Sequence, residues 1–307
     1  MQTPKTLIEA VNLFSDNSKA VEYLAAKRWP NGVTCPVCAS HECTALATRQ
    51  LWQCKGCRKQ FSVKKGTIYE DSALPLGKWL TASWMIMNCR NGISSCEIAR
   101  SIGVSQKTAW FMAHRIREGM KNGSVEKLSG TVESDATYIG GIDGNRHASK
   151  KKDAPGQGEK AIVFGAVERG GKVRSKVVDG TGKQSTENDV LTNVAIGSIL
   201  YTDEATGYRN MGYVYDHSTV NHSQKEYVRG EAHTNTIENY WSLVKRMIKG
   251  TYIHVEPYHL DRYLDEQGLR YDLRKSDEQT RFAEVVTGGI GKRLTYNELT
   301  GKVLAAQ

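Results

Sequence analysis

The sequence predicts a mixed α/β domain preceded by a zinc ribbon and a helix-turn-helix. Three observations predict it: two tight cysteine pairs, a helix pair whose caps and turn are readable, and an alternating strand-like pattern from Thr131 onward that gives way to helices. The 307 residues suit about two domains. A net charge of +9 favours a polyanionic partner, most simply nucleic acid. No run approaches the roughly 20 apolar residues that span a bilayer. The opening MQTPKTLIEAVNLF lacks the layout of a signal peptide, so a cytoplasmic protein with no membrane partner is expected.

Residues 1–33 read as a helical segment, with Leu7, Val11, Phe14, Val21 and Leu24 near helical spacing. Residues 34–66 hold CPVC at 35–38 and CKGC at 54–57, fifteen residues apart. Thiolates from Cys35, Cys38, Cys54 and Cys57 can close a tetrahedron around Zn²⁺ with no position left for substrate, so the role is structural. So short a segment buries too little apolar surface to fold alone, and metal binding supplies the difference. A redox centre needs one such pair, not two. His41 and Cys43 lie between the knuckles and could compete as ligands, the plainer role being surface filler. Lys55, Arg58, Lys59, Lys64 and Lys65 around the second knuckle are either phosphate contacts or solvated charge.

Residues 74–120 form the helix-turn-helix region. Ser94 to Glu97 has capping-box spacing, Ile98, Ala99 and Ile102 form an apolar face, Gly103 permits a sharp turn and Ser105 can cap the second helix. That helix then presents Gln106, Lys107, Thr108 and, further on, Arg115, side chains suited to phosphates or base edges in a major groove. The alternative is an ordinary helical hairpin of the core.

After the polar linker KNGSVEKLSG, residues 131–275 carry strands at TVESDATYIGG, at KAIVFGAVERGGKVRSKVVDG (two, joined by a Gly-Gly turn) and at SILYTD. Helices follow at STENDVLTNVAI, NTIENYWSLVKRMIKG and YHLDRYLDEQGLRYDLR. A basic loop is expected at 142–160. Residues 276–307 read as a C-terminal helical tail, opened by capping-box spacing from Ser276 to Gln279.

Three acids stand out. Asp135 lies on the first strand, Asp203 follows SILYT, and Glu238 sits on the later helix. Each has a plainer reading. Asp135, like Glu133, can be exposed on an alternating strand. Asp203 can cap a turn, with Glu204 as the ligand instead. Asn235 to Glu238 has capping-box spacing, a purely local role. Against that, Ile237, Trp241, Val244 and Ile248 form a buried stripe, and Glu238, Ser242, Lys245 and Lys249 form the stripe beside it. Three carboxylates can hold Mg²⁺ or Mn²⁺, and two such ions can activate an attacking oxygen and stabilise a leaving one in phosphodiester chemistry. Lys245 can hold a phosphate as a point charge.

The ribbon, the helix-turn-helix, and the motifs ESDATYIGG, YTDEATGY and HTNTIENYWSLVKRMIKGTYIHV resemble bacterial insertion-sequence transposases, the ISXO-like group of the DDE superfamily, over nearly the whole chain. The resemblance implies an RNase H-like catalytic domain using two divalent ions. It implies cleavage and strand transfer of double-stranded DNA at an element's terminal inverted repeats, and a homodimer or higher oligomer. It maps the catalytic acids onto Asp135, Asp203 and Glu238 and the downstream lysine onto Lys245; Lys249, from the stripe of Glu238, is expected as a further DNA contact. Ala136 stands where the family often has an acid, and Asn235 and Asn239 rival Glu238. Two other classes fit parts of the sequence: a non-enzymatic DNA-binding regulator and a structure-specific nuclease.

Overall fold

The chain runs through α1 (Leu7–Phe14), α2 (Asn17–Arg28), β1 (Cys43–Leu46), β2 (Leu51–Cys54), β3 (Gln60–Ser62), α3 (Leu76–Asn88), α4 (Ser95–Ile102) and α5 (Gln106–Met120). It continues with β4 (Thr131–Ile139), β5 (Ala161–Glu168), β6 (Val173–Val178), α6 (Lys183–Asn193), β7 (Ile199–Thr202) and β8 (Asp216–Thr219). The short pair β9 (Val228–Arg229) and β10 (Ala232–His233) precedes α7 (Asn235–Met247), α8 (Pro257–Asp272), α9 (Glu278–Gly288) and α10 (Tyr296–Leu299). The computed structural model describes residues 3–121, 126–140, 160–224, 226 and 228–302, so the basic loop expected at 142–160 lies outside the described residues apart from Lys160. Among the described residues no helix is long and apolar enough to cross a membrane.

The chain divides into two units, Met1–Lys121 with Lys275–Gln307, and Asn122–Arg274. In the first, residues 7–28 form two helices rather than one, because Asp16 caps a new start by accepting the Ser18 N–H. The helix-turn-helix region follows its residues closely. Ser94 and Glu97 make the capping box, Gly103 is left-handed at φ +63° where a side chain would be strained, and the Ser105 hydroxyl accepts the Thr108 N–H. The last helices fold back onto the first: Phe282 of α9 stacks on Tyr23 at 5.6 Å and lies 5.8 Å from Phe14. The cap of α9 is Asp277, accepting the Thr280 N–H, one residue later than the spacing from Ser276 suggests.

The second unit is the expected mixed α/β arrangement. Its sheet has the order β6-β5-β4-β7-β8, antiparallel from β6 to β4 and parallel from β4 to β8. Alternation decides which residues face which layer. Ile139, Val163, Val167 and Val173 face α7 and α8, burying Ile237, Trp241, Val244 and Leu264. Val132, Phe164, Ala166 and Leu200 face the opposite layer, where α6 contributes Val190. Strand β8 was not foreseen, since its four residues DHST are polar and only half-buried at the sheet's edge. At the other edge, the N–H groups of Val173 and Val177 donate to Asp272 and Asp261 of α8 at 2.8 and 2.7 Å. Those carboxylates occupy backbone donors that would otherwise invite another strand.

Candidate active site

Two sites are built by this chain. In the first unit, β1 and β2 pair antiparallel with Cys43 opposite Cys54, and β3 adds on through Trp52 opposite Phe61. The ribbon's core is little more than Trp29, Trp52 and Phe61, with Trp29 at 5.2 and 6.0 Å from the other two rings. The sulfurs of Cys35, Cys38, Cys54 and Cys57 all lie within 4.8 Å of one another, which fits a tetrahedral Zn²⁺. The Cys57 N–H points at Cys54 Sγ and draws that thiol down to about 6. Cys43 is no ligand, since its thiol turns to the Ser40 carbonyl. Lys64 donates to the Ser72 carbonyl and Lys65, though exposed, pairs with Glu70; Lys55, Arg58 and Lys59 are exposed as well.

In the second unit the acids are placed by register. Strands β4 and β7 are parallel neighbours, with Thr131 opposite Ile199 and Glu133 opposite Tyr201. Asp203 lies directly past the end of β7, near enough to Asp135 for its charge to act on that carboxyl. Burial raises the Asp135 carboxyl to about 6, and the Asp203 and Glu238 carboxylates push it the same way. Asp203 is raised by burial and by Glu204, against the lowering effect of the Ala205 N–H and His222. Glu238 stands on the first turn of α7, its side chain 47% exposed, accepting from Thr234 Oγ1 at 2.9 Å with His222 Nε2 at 3.9 Å. Among the described residues the acids are not gathered as tightly as the cysteines. Each has a protein donor of its own: Trp241 Nε1 at 3.0 Å and the Ala136 N–H for Asp135, and the Ala205 N–H for Asp203.

Two plainer readings of these acids are corrected. The cap of α7 is Thr234, not Asn235, and Glu238 makes no capping box. Glu204 is occupied elsewhere: it accepts from the Ser223 hydroxyl and from the N–H groups of His222 and Ser223, which hold it at about 2.

Residues 127–272 match the family described as the ISXO2-like transposase domain, and residues 15–60 match the transposase zinc-ribbon domain. The chain belongs to the ISXO2-like transposases. It is 28% identical over 253 residues to an "uncharacterized protein in transposable element ISH50" of Halobacterium salinarum, covering 78% of this chain and 85% of that one. A DDE domain implies use of divalent metal and a nuclease-type DNA-cleaving enzyme, and together with the ribbon it implies DNA binding.

Arg115 is not placed as a DNA contact. That guanidinium is buried, stacked 5.1 Å over Trp79 and 5.5 Å over Phe111, and donates to the Glu70 carbonyl, so it cannot reach DNA. Its position on the inner face of α5 decides this. Gln106 and Lys107 are exposed at the start of that helix and Thr108 is half-buried. Gln106 also touches Ser95 at 2.9 Å, and Lys107 lies over Tyr296 at 5.3 Å. Lys245 on α7 is half-buried, and Lys249, in the π-helical turn Ile248–Tyr252 that follows α7, is exposed.

Four residues around the acids were missed. The alternation allows Glu133 an exposed place beside Asp135, whereas it is completely buried, and His222 is a single polar residue in an unremarkable stretch. Trp241 was read as packing alone, but it also donates to Asp135. Gly165 lies opposite Asp135 in the β4–β5 register, and a Cβ there would meet the Trp241 ring at 2.5 Å. Only a glycine lets the indole settle onto the sheet within reach of Asp135. Gly165→Ala is therefore expected to destabilise by about 1–3 kcal/mol through overpacking. A melting temperature unchanged from wild type would contradict that close approach.

Proposed function

We propose that the chain is a DNA transposase whose Asp135, Asp203 and Glu238 hold two divalent ions, Mg²⁺ or Mn²⁺, and which cuts and joins DNA at the terminal inverted repeats of its element. The observation that supports this reading is that acids from distant sequence, on β4, just past its parallel neighbour β7 and on α7, come close enough for Asp203 and Glu238 to push the Asp135 carboxyl upward. The donor set suits the metal: carboxylate oxygens, clustered enough to repel one another, are what Mg²⁺ and Mn²⁺ select. When bound, the ions supply activation of the attacking oxygen and stabilisation of the leaving one. Asp135, already desolvated, gives up its proton on loading. Lys245, two turns after Glu238 on α7, and Lys249, in the turn that follows that helix, steady DNA phosphates as point charges. Gln106, Lys107 and Thr108 meet end DNA at the start of α5, and Zn²⁺ holds the ribbon beside Lys55, Arg58 and Lys59 in shape. Two DNA ends require at least a dimer.

Glu238→Gln tests the assignment. The amide oxygen keeps the bond from Thr234 and removes only the charge. Cleavage of end DNA in Mg²⁺ is expected to fall about a hundredfold or more, since one transition-state charge partner is lost. A near-wild-type rate would leave Glu238 without a role in the chemistry. Cutting of branched DNA without joining to a target would instead favour the structure-specific nuclease.

Divalent binding should also depend on pH, with the sign set by Asp135. A carboxylate raised from 3.8 to about 6 costs stability as a charge above about 6, and a bound cation offsets that cost. The rise in melting temperature on adding Mn²⁺ is therefore expected to be large at pH 7.5 and small at pH 5, where a proton competes for the same oxygens. Asp135→Asn should flatten this profile. A wild-type shift equal at both pH values would contradict the role given to Asp135.

A further inference from the structure

Glu133 is two residues before Asp135 on the same face of β4, and its side chain is completely buried. Such a carboxylate is stable only when several donors surround it. Here Thr236 N–H and Ile237 N–H reach Oε2 at 2.7 and 3.0 Å, and Thr236 Oγ1 reaches Oε1 at 2.8 Å. Arg169 Nε reaches Oε1 at 2.7 Å, and His233 Nδ1 lies 3.2 Å from the same oxygen. The two backbone donors belong to the first turn of α7, whose own cap residue Thr234 makes no side-chain cap bond. A helix leaves its first N–H groups unpaired and carries partial positive charge there. Glu133 supplies from the sheet the cap that the helix lacks.

Arg169 extends the same contact. Its remaining nitrogens donate to the carbonyls of Glu231 and His233 at 3.0 and 3.2 Å, so it grips the chain that leads into α7. Its guanidinium also lies 4.7 Å over the ring of Tyr201, the β7 residue opposite Glu133. The start of α7 is thus pinned to β4, to the end of β5 and to β7. Glu238 is one residue beyond Ile237 on that pinned turn, while Asp135 is two residues beyond Glu133 on β4 and Asp203 is two beyond Tyr201, just past the end of β7.

We propose that Glu133 and Arg169 form a latch that fixes the distance of Glu238 from Asp135 and Asp203, so that Glu133 is a positioning residue of the acid site and not one of its metal ligands. Cutting the latch should loosen the site without removing any ligand. This rests on the reading of those three acids as a divalent-metal site.

The test is calorimetric titration of the full-length protein with Mn²⁺ after zinc loading, alongside cleavage of end DNA. For Glu133→Gln, folded by circular dichroism, Mn²⁺ affinity at the acid site is expected to fall about tenfold or more, in the range seen when residues supporting metal ligands are changed. Cleavage should lose kcat with little change in KM for DNA. Thr236→Val removes one hydroxyl bond and should lose less, and serves if Glu133→Gln does not fold. Measurement well below either variant's melting temperature separates positioning from bulk stability, because lost stability alone leaves affinity of the folded fraction unchanged. Wild-type Mn²⁺ affinity and kcat in a folded latch variant would overturn the latch. Absence of Mn²⁺ binding by the wild type that Asp203→Asn abolishes would instead overturn the metal site itself.

Discussion

Asp203→Asn is expected to reduce strand cleavage at least about a thousandfold, some 4 kcal/mol of lost transition-state stabilisation, while binding of end DNA persists. The residue follows β7 directly, half-buried, with its Oδ1 taking the Ala205 N–H at 3.1 Å. An asparagine fits that space and retains an oxygen for the same donor, so the fold has little reason to change. What disappears is the negative charge beside Asp135. Loss of that charge should also lower the Asp135 carboxyl from its present value of about 6, since Asp203 is one of the groups raising it. A nicking assay on labelled end DNA, with a mobility-shift assay on the same preparation, reads both halves of the prediction. Cleavage within about tenfold of wild type would show that the β4–β7 pair is not the chemical centre. Loss of DNA binding together with cleavage would point to a damaged fold.

Removal of zinc is expected to produce the largest structural effect. Structural zinc contributes roughly 10–16 kcal/mol of folding free energy in small zinc-finger peptides, and this ribbon has only three short strands over a core centred on Trp29, Trp52 and Phe61. Strong chelation, or Cys54→Ser, should melt residues 34–66. The sheet of Asn122–Arg274 should persist, because its two cores contain none of the ribbon's residues. Hydrogen exchange read by mass spectrometry distinguishes the two: protection lost at 34–66, retained across β4, β5 and β7. Retained protection in a demetallated ribbon would mean that the aromatic core suffices without the ion. End-DNA affinity should fall with the ribbon if Lys55, Arg58 and Lys59 touch phosphates.

Much of this was legible because the signals are local. The cysteine spacing, the Ser94–Glu97 cap, the Gly103 turn and the alternation of β4 each depend on residues a few positions apart, where backbone geometry ties sequence offset to direction in space. The same locality made Asp135, Asp203 and Glu238 visible, as acids at the ends and faces of readable elements. Local reading failed where the decisive partner is distant in the chain. Asn235 to Glu238 has the spacing of a cap, but the donors at the start of α7 are taken by Glu133, about a hundred residues earlier. Arg115 has the composition of a DNA contact, but Trp79, Phe111 and Glu70 enclose it.

The sequence by itself determined the cysteine cluster, the helix pair and the mixed α/β class, and it singled out three acids as candidates, because covalent spacing and periodicity constrain ligand sets and faces directly. Only the tertiary structure decided that β4 and β7 are parallel neighbours with Asp203 acting on Asp135, that Gly165 admits Trp241 to the sheet, and that Glu133 and Arg169 meet the start of α7. Strand register, close approach and burial of a charge are relations between distant segments, and they are settled by which packing satisfies every buried donor and acceptor at once.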